Sequence, residues 1–193
     1  MRSLHLEKKG LRCLAIAESF TLNSSKSVLS GIVMRRDFII DDFVFGSATL
    51  GGDDATDSVL NMYDELQRPD VNYVLISGLI ISMYNIVDIK KLFDSLRIPI
   101  ISVSYHDSLG IEDALKYHFP NSFESKISKY HELGKREKIN LNTGFDVFIR
   151  TEGCTLTDAQ HLLNNLTLHG SISEPIRVSK LLAKKLFEKG LSF

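Results

Sequence analysis

From Leu11 to Phe20 the chain reads LRCLAIAESF, a largely apolar run that ends in an acid and a serine. After a polar turn, TLNSSK, the segment Ser27 to Arg36 (SVLSGIVMRR) repeats that character. Asp37 to Leu50 (DFIIDDFVFGSATL) is rich in Phe, Ile and Val until Gly51 and Gly52 stop it. Aliphatic, β-branched and aromatic runs bounded by turn residues favour the extended backbone, so all three segments predict strands. Their connections are short, which predicts an antiparallel meander, because a parallel pair requires a longer crossover.

The pattern then changes period. Asp54 to Gln67 places Val59, Leu60, Met62, Tyr63 and Leu66 at helical spacing. Acids occupy its first turn, where the helix dipole favours them. Val71 to Ser82 (VNYVLISGLIIS) predicts one buried strand, Val87 to Leu96 a helix and Ile98 to Tyr105 a further strand, an order that implies a parallel pair. Helices are expected near Gly110 to Phe119 and Glu124 to Arg136, and over Leu156 to Leu168 and Glu174 to Glu188, with a strand near Phe145 to Arg150. No repeat, low-complexity tract or Pro/Gly-rich linker divides the chain, so one domain spanning 1–193 is expected. The fold class is α/β: an antiparallel meander of three strands leading into parallel strands, flanked by helices, in the ribonuclease H-like order.

Composition narrows the classes. Apolar residues are 44% and charged residues 24% of 193 residues, the balance of an ordinary soluble globule. The N-terminal MRSLHLEKKGLRCL lacks the apolar stretch of a secretory signal, and the longest apolar run, Val71 to Val87, is interrupted by Asn72, Ser77, Gly78, Ser82 and Asn85. A cytoplasmic protein without a membrane span is expected. The sequons at Asn23 and Asn165 are then chance matches. Cys13 and Cys154 have no CxxC spacing and predict buried thiols rather than a disulfide. The net charge of −1 requires any nucleic-acid role to rest on a local patch.

Several acids could carry chemistry. Glu18 ends the first strand, a favoured place for a site in an α/β sheet, though it could equally begin a solvated loop. Gly52-Asp53-Asp54-Ala55-Thr56-Asp57 crowds three carboxylates around a helix start. They could bind Mg²⁺, which prefers oxygen ligands, or simply cap the helix. Asn85 and Asp88 could share an edge with Glu18, or Asn85 could be an N-cap. The six histidines show no zinc spacing, and GxxxxGK[ST], GxGxxG and GxSxG are all absent, which argues against nucleotide and serine hydrolases. Candidate phosphate contacts are Arg35, Arg36, Lys90-Lys91, Lys135-Arg136 and Arg177 with Lys180, Lys184 and Lys185; such runs are most often solvated faces.

The strings SVLSGIVMRRDFIIDDFVFGSATLGGDDATDSV, LISGLIISMYNIVDI and EPIRVSKLLA resemble an archaeal family of the UPF0215 type, related to endonuclease V, over nearly the whole chain. That resemblance implies a ribonuclease H-like fold and a site of Mg²⁺-binding carboxylates that cut nucleic acid near deaminated bases. It places the first acid on Glu18 in AIAESF and the second near Asp53 or Asp54. The third acid position falls on Ser77 in VLISGLI, and a further position in the last helix falls on Lys180 in EPIRVSK. The implied site therefore has an incomplete acid set that would hold Mg²⁺ weakly.

Three readings follow. The first is a nucleic-acid-interacting relative of endonuclease V, DNA or RNA undetermined, with weak or lost cleavage, using Glu18 and Asp54 for metal and Asn85, Arg35, Arg36 and Arg177 for substrate. The second is an active Mg²⁺-dependent nuclease with a rebuilt site of Glu18, Asp54 and Asp57, joined by Asp88 or Asp107. The third is a protein- or small-molecule-binding module on the same fold.

Overall fold

Alternation along strand β1 (Arg12–Ser19) sets the layering: Leu14 and Ile16 enter one core and Cys13 and Ala15 the other, as a period of two requires. The computed structural model describes residues 6–108, 110–191 and 193. β2 (Lys26–Arg35) and β3 (Ile40–Thr49) complete the meander, antiparallel throughout, with Ser19 opposite Val28 and Lys26 opposite Thr49. Helix α1 (Ala55–Leu66) and β4 (Tyr73–Ile76) follow, then the short strands β5 (Ile80–Ile81) and β6 (Asn85–Ile86). After α2 (Ile89–Leu96) come β7 (Ile100–Ser104), α3 (Glu112–His118), α4 (Phe123–Glu132), β8 (Glu137–Asn140), β9 (Asp146–Glu152), α5 (Leu156–Leu166) and α6 (Glu174–Glu188). The main sheet has the order β3-β2-β1-β4-β7-β9-β8, with β1, β4 and β7 mutually parallel and the remaining pairs antiparallel. The ribonuclease H-like mixed sheet expected from the sequence is the one observed.

One face of the sheet buries Val59 and Met62 of α1 and Leu92 of α2; the other buries Leu162, Leu163 and Leu166 of α5 and Ile176 of α6. Burial pushes the thiols of Cys13 and Cys154 up to about 12, and both are free. Among the described residues no helix is long and apolar enough to cross a membrane.

Two expected elements differ. The strand foreseen over Val71 to Ser82 stops at Ile76: Gly78 turns with φ +86, and the chain makes the separate β5–β6 hairpin. That hairpin closes through Ser82, Met83 and Tyr84, with φ of 45, 57 and 66. Successive left-handed non-glycine residues are strained and have no compositional signal. The polar helix foreseen to Arg136 ends at Glu132, and EKIN becomes β8, the edge partner of β9. Its single buried residue, Ile139, gave too little periodicity to read.

α1 approaches the meander closely because Gly31 and Gly46 leave room for it. A Cβ on Gly31 would lie 2.6 Å from Val44 Cγ1 and 3.2 Å from Met62 Cε, and one on Gly46 would lie 2.9 Å from Met62 Cγ. Gly31→Ala is therefore expected to lower stability by about 1–3 kcal/mol through overpacking, read as a lower denaturant midpoint. An unchanged midpoint would show that the layer relaxes freely.

Candidate functional site

Glu18 continues the row of Leu14 and Ile16 to the carboxyl end of β1, where the apolar core gives way to a cleft. Its carboxylate accepts from Ser82 N at 2.8 and 3.0 Å and from Ser82 Oγ at 2.8 Å, and that hydroxyl lies 2.6 Å from Ser27 Oγ. Ser27 and Ser82 are both fully buried. Burial pushes the Glu18 carboxyl above the usual range, while the Ser82 and Ser27 hydrogen bonds and the Lys180 charge pull it back.

Lys180 arrives from α6 across the sheet. Its neighbour Ser179 is locked to β2 by reciprocal bonds: Ser30 Oγ donates to Ser179 O at 2.7 Å and Ser179 Oγ to Ser30 O at 2.7 Å, all within the core. That lock fixes the rotation and height of α6, and so the position of Lys180. The ammonium sits 4.8 Å from the centre of the Tyr105 ring, a cation–π contact. Burial lowers the Lys180 pKa and Glu18 opposes the shift. The Tyr105 hydroxyl is buried facing Ser77 without a hydrogen bond of ordinary geometry among the described residues, and burial raises its pKa. Glu18, Ser19, Phe20, Ser77 and Lys180 line an open cleft of about 360 Å³. One carboxylate, one ammonium and hydroxyl groups thus gather at the carboxyl ends of parallel strands, where α/β sheets place ligands.

The second acid position is differently employed. Asp54 stands at the N-cap position of α1, but its side chain makes no capping bond. Instead it accepts from Thr49 N at 3.0 Å, Thr49 Oγ1 at 2.7 Å and Asn85 Nδ2 at 2.6 Å. Burial alone would raise its pKa; those hydrogen bonds prevail and hold it below the usual range. Asp57 lies on the exposed face between α1 and α2, 2.6 Å from Lys91, and Asp53 pairs with Lys129 at 2.9 Å. Asp88 caps α2 by accepting from Lys91 N. Asp107 is exposed beside Arg136, at 3.7 Å. Among the described residues no group of three His, Cys, Asp or Glu could hold a metal ion. The donor set does not fit a two-ion acid site: Ser77 offers only a hydroxyl, and the Lys180 ammonium repels a cation beside Glu18.

The expected substrate contacts are redistributed. Asn85 is wholly buried and donates to Thr49 O and Asp54 while accepting from Ala55 N, so it braces the start of α1 and has no surface to offer a substrate. Arg35 and Arg36 lie at the opposite end of the sheet, because the antiparallel register sets Arg35 against Arg12, six residues or about 20 Å from Glu18. There Arg35 faces Asp37 and Asp41, and Arg36 binds Leu6 O and Glu7. Arg177 lies one turn before Lys180 on α6, half-exposed and paired with Glu174.

Two contributors had no sequence signal. Ser82 is available to Glu18 only through the left-handed turn. Lys126 of α4, 2% exposed, donates to Gly52 O at 2.9 Å and Tyr84 O at 3.3 Å and lies 4.8 Å from the Phe119 ring centre, stapling α4 to the hairpin. In sequence it looks like any lysine of a polar helix.

Asn85→Ala is expected to destabilise the chain by about 1–3 kcal/mol, since the Ala55 N–H, Thr49 carbonyl and Asp54 carboxylate each lose a partner. Glu18 makes a pH test. Its pKa is raised on folding, so its contribution is fully present below the unfolded value near 4.5 and is lost as pH rises through the folded value. Thermal melts should show wild type losing stability relative to Glu18→Gln as pH rises from acid to neutral; parallel curves would contradict the burial of this carboxylate.

The comparisons with known proteins agree with this architecture. A UPF0215 protein of Pyrobaculum calidifontis is 32% identical over 176 residues, covering 91% of this chain and 96% of that protein. One from Thermoplasma volcanium is 29% identical, covering 95% and 94%. Among solved structures, a protein from Archaeoglobus fulgidus superposes with a TM-score of 0.78 at 23% identity, covering 91% of this chain and 98% of that one. Endonuclease V of Ciona intestinalis, in complex with a 24mer DNA containing an inosine followed by a ribo-adenosine, gives 0.61 at 14% identity, covering 93% and 87%. The structural likenesses show the endonuclease V-like fold. The sequence profile of Endonuclease dU matches residues 9–187, the span from just before β1 almost to the end of α6, and the chain belongs to that family.

Proposed function

We propose that the chain acts on DNA containing deoxyuridine, binding it across the cleft of Glu18, Ser77 and Lys180 and cutting it slowly. The observation that carries this reading is the meeting of Glu18 and Lys180 at the carboxyl ends of β1, β4 and β7. The family name, Endonuclease dU, supplies the substrate class, and the inosine-containing DNA held by the Ciona endonuclease V is likewise a deaminated one.

Lys180 would neutralise a phosphate and stabilise charge that develops on its oxygens during attack by water. Glu18 would take the proton of that water; the serine bonds hold its carboxylate in one orientation, and its remaining lone pairs stay free to accept. The leaving oxygen takes a proton from solvent. Mg²⁺ has a single carboxylate to meet in this cleft, with water and phosphate as its other ligands, so it would be held weakly. Among the described residues, the paired cations that clamp attacking and leaving oxygens in two-metal sites have no equivalent set of acids. A second reading, binding without cleavage, is favoured by Ser77 at the third acid position and by the full engagement of Asp54.

The test uses oligonucleotides that differ only in deoxyuridine, inosine or thymidine at one position. Preference for deoxyuridine is expected, with slow cleavage reduced about 100-fold or more in Glu18→Gln. Lys180→Met is expected to weaken binding and to move the acid limb of the pH–rate profile upward, because Glu18 loses the neighbouring charge that lowers its pKa. Binding without cleavage in wild type would establish the second reading. Indifference to all three bases would overturn both.

A further inference from the structure

A net charge of −1 conceals a concentrated basic surface. At the β8 edge of the sheet, a groove of about 480 Å³ is lined by Lys135, Arg136, Lys138 and Arg150, with Asp107 as the one carboxylate in its wall. These cations are set in place by the fold. Arg150 donates Nε and Nη2 to Gly134 O at 3.1 and 2.9 Å, and Arg136 donates to His106 O and Ser108 O at 3.0 and 3.1 Å while lying 5.1 Å from the Phe148 ring centre. Both guanidiniums bind neutral carbonyls, which leave their charge uncompensated; Arg150 has no ion pair among the described residues, and Arg136 has only the exposed Asp107 at 3.7 Å, a weak contact. Lys138 pairs with Asp146 at 2.7 Å, an exposed and therefore weak contact. Lys135, on the turn after Gly134, is exposed and has no ion pair among the described residues.

The groove also adjoins the cleft. Tyr105, which lies under the Lys180 ammonium, directly precedes His106, whose carbonyl Arg136 holds. From Tyr105 to Ser108 is three residues, at most about 10 Å of chain. We infer that this groove is a second contact surface for the phosphate backbone of the DNA strand whose target nucleotide occupies the Glu18–Lys180 cleft. The inference rests on the proposed function and extends it by giving the strand a direction across the protein, from the carboxyl end of β7 toward β8. Fixed cations spaced along a groove contact successive phosphates without reading bases, and each phosphate neutralised releases counterions, which makes binding salt-dependent.

The experiment measures binding of the full chain to two deoxyuridine-containing oligonucleotides, one short enough to fill only the cleft and one extended on both sides, over a range of salt. The variants are Lys135→Gln/Lys138→Gln, which removes two exposed charges of the groove, and Lys90→Gln/Lys91→Gln, which removes two exposed charges on α2. The groove variant is expected to abolish most of the advantage of the long oligonucleotide over the short one, about tenfold, and to lower the slope of log affinity against log salt by about two. The α2 variant should retain that advantage. If the short oligonucleotide binds and the groove variant keeps the wild-type advantage and slope, the groove is overturned and the cleft stands. If the α2 variant loses the advantage instead, the strand runs the other way and the groove is again overturned. If neither oligonucleotide binds wild type, the proposed function and the groove fall together.

Discussion

A carboxylate carried to the end of a buried strand must find donors there, because an unpaired charge withdrawn from water costs several kcal/mol. Glu18 finds them in Ser82, and much of the surrounding architecture exists in the form that makes this capture workable. Ser82 can present both its N–H and its hydroxyl only because the chain turns through three left-handed residues. That turn is secured by Gly51 N donating to Ser82 O at 2.7 Å and by Lys126 reaching Tyr84 O from α4. The same hairpin carries Asn85, which holds Asp54 and the first N–H of α1. One short element therefore positions both acids, leaving Glu18 open to the cleft and Asp54 enclosed in hydrogen bonds.

Most of the sheet was legible from the chain because buried strands run nearly continuously apolar, as β1, β2, β4 and β7 do, while β3 is marked by its Phe, Ile and Val content between turn residues; the edge strand β8 was not legible. The strand-end placement of Glu18 was legible for the same reason. The hairpin was not: LISGLIIS continues the apolar run, only the positive φ of Gly78 separates β4 from β5, and the strained turn after Ile81 then folds β5 back onto β6. Arg35 and Arg36 looked like substrate contacts because sequence does not show which end of the sheet a basic pair occupies; the meander register does. Lys126 was illegible because a buried lysine is recognisable only by the carbonyls around it.

The family resemblance and the site geometry bear on different links of the argument. The profile match and the superpositions account for the scaffold, while any chemistry rests on the side chains gathered in the cleft, among which Glu18 is the one carboxylate. Ser77 and Lys180 give the cleft a hydroxyl and a fixed positive charge of its own, next to a carboxylate whose pKa burial raises. Under the proposed function such a pair would favour phosphate over a metal ion.

The most direct test is a crystal structure of Glu18→Gln bound to an oligonucleotide with one deoxyuridine. The account predicts a phosphate at the Lys180 ammonium and the deoxyuridine in the cleft beside Ser77. DNA seated instead over Asp53, Lys91 and Lys129, with the Glu18 cleft open to water, would contradict it.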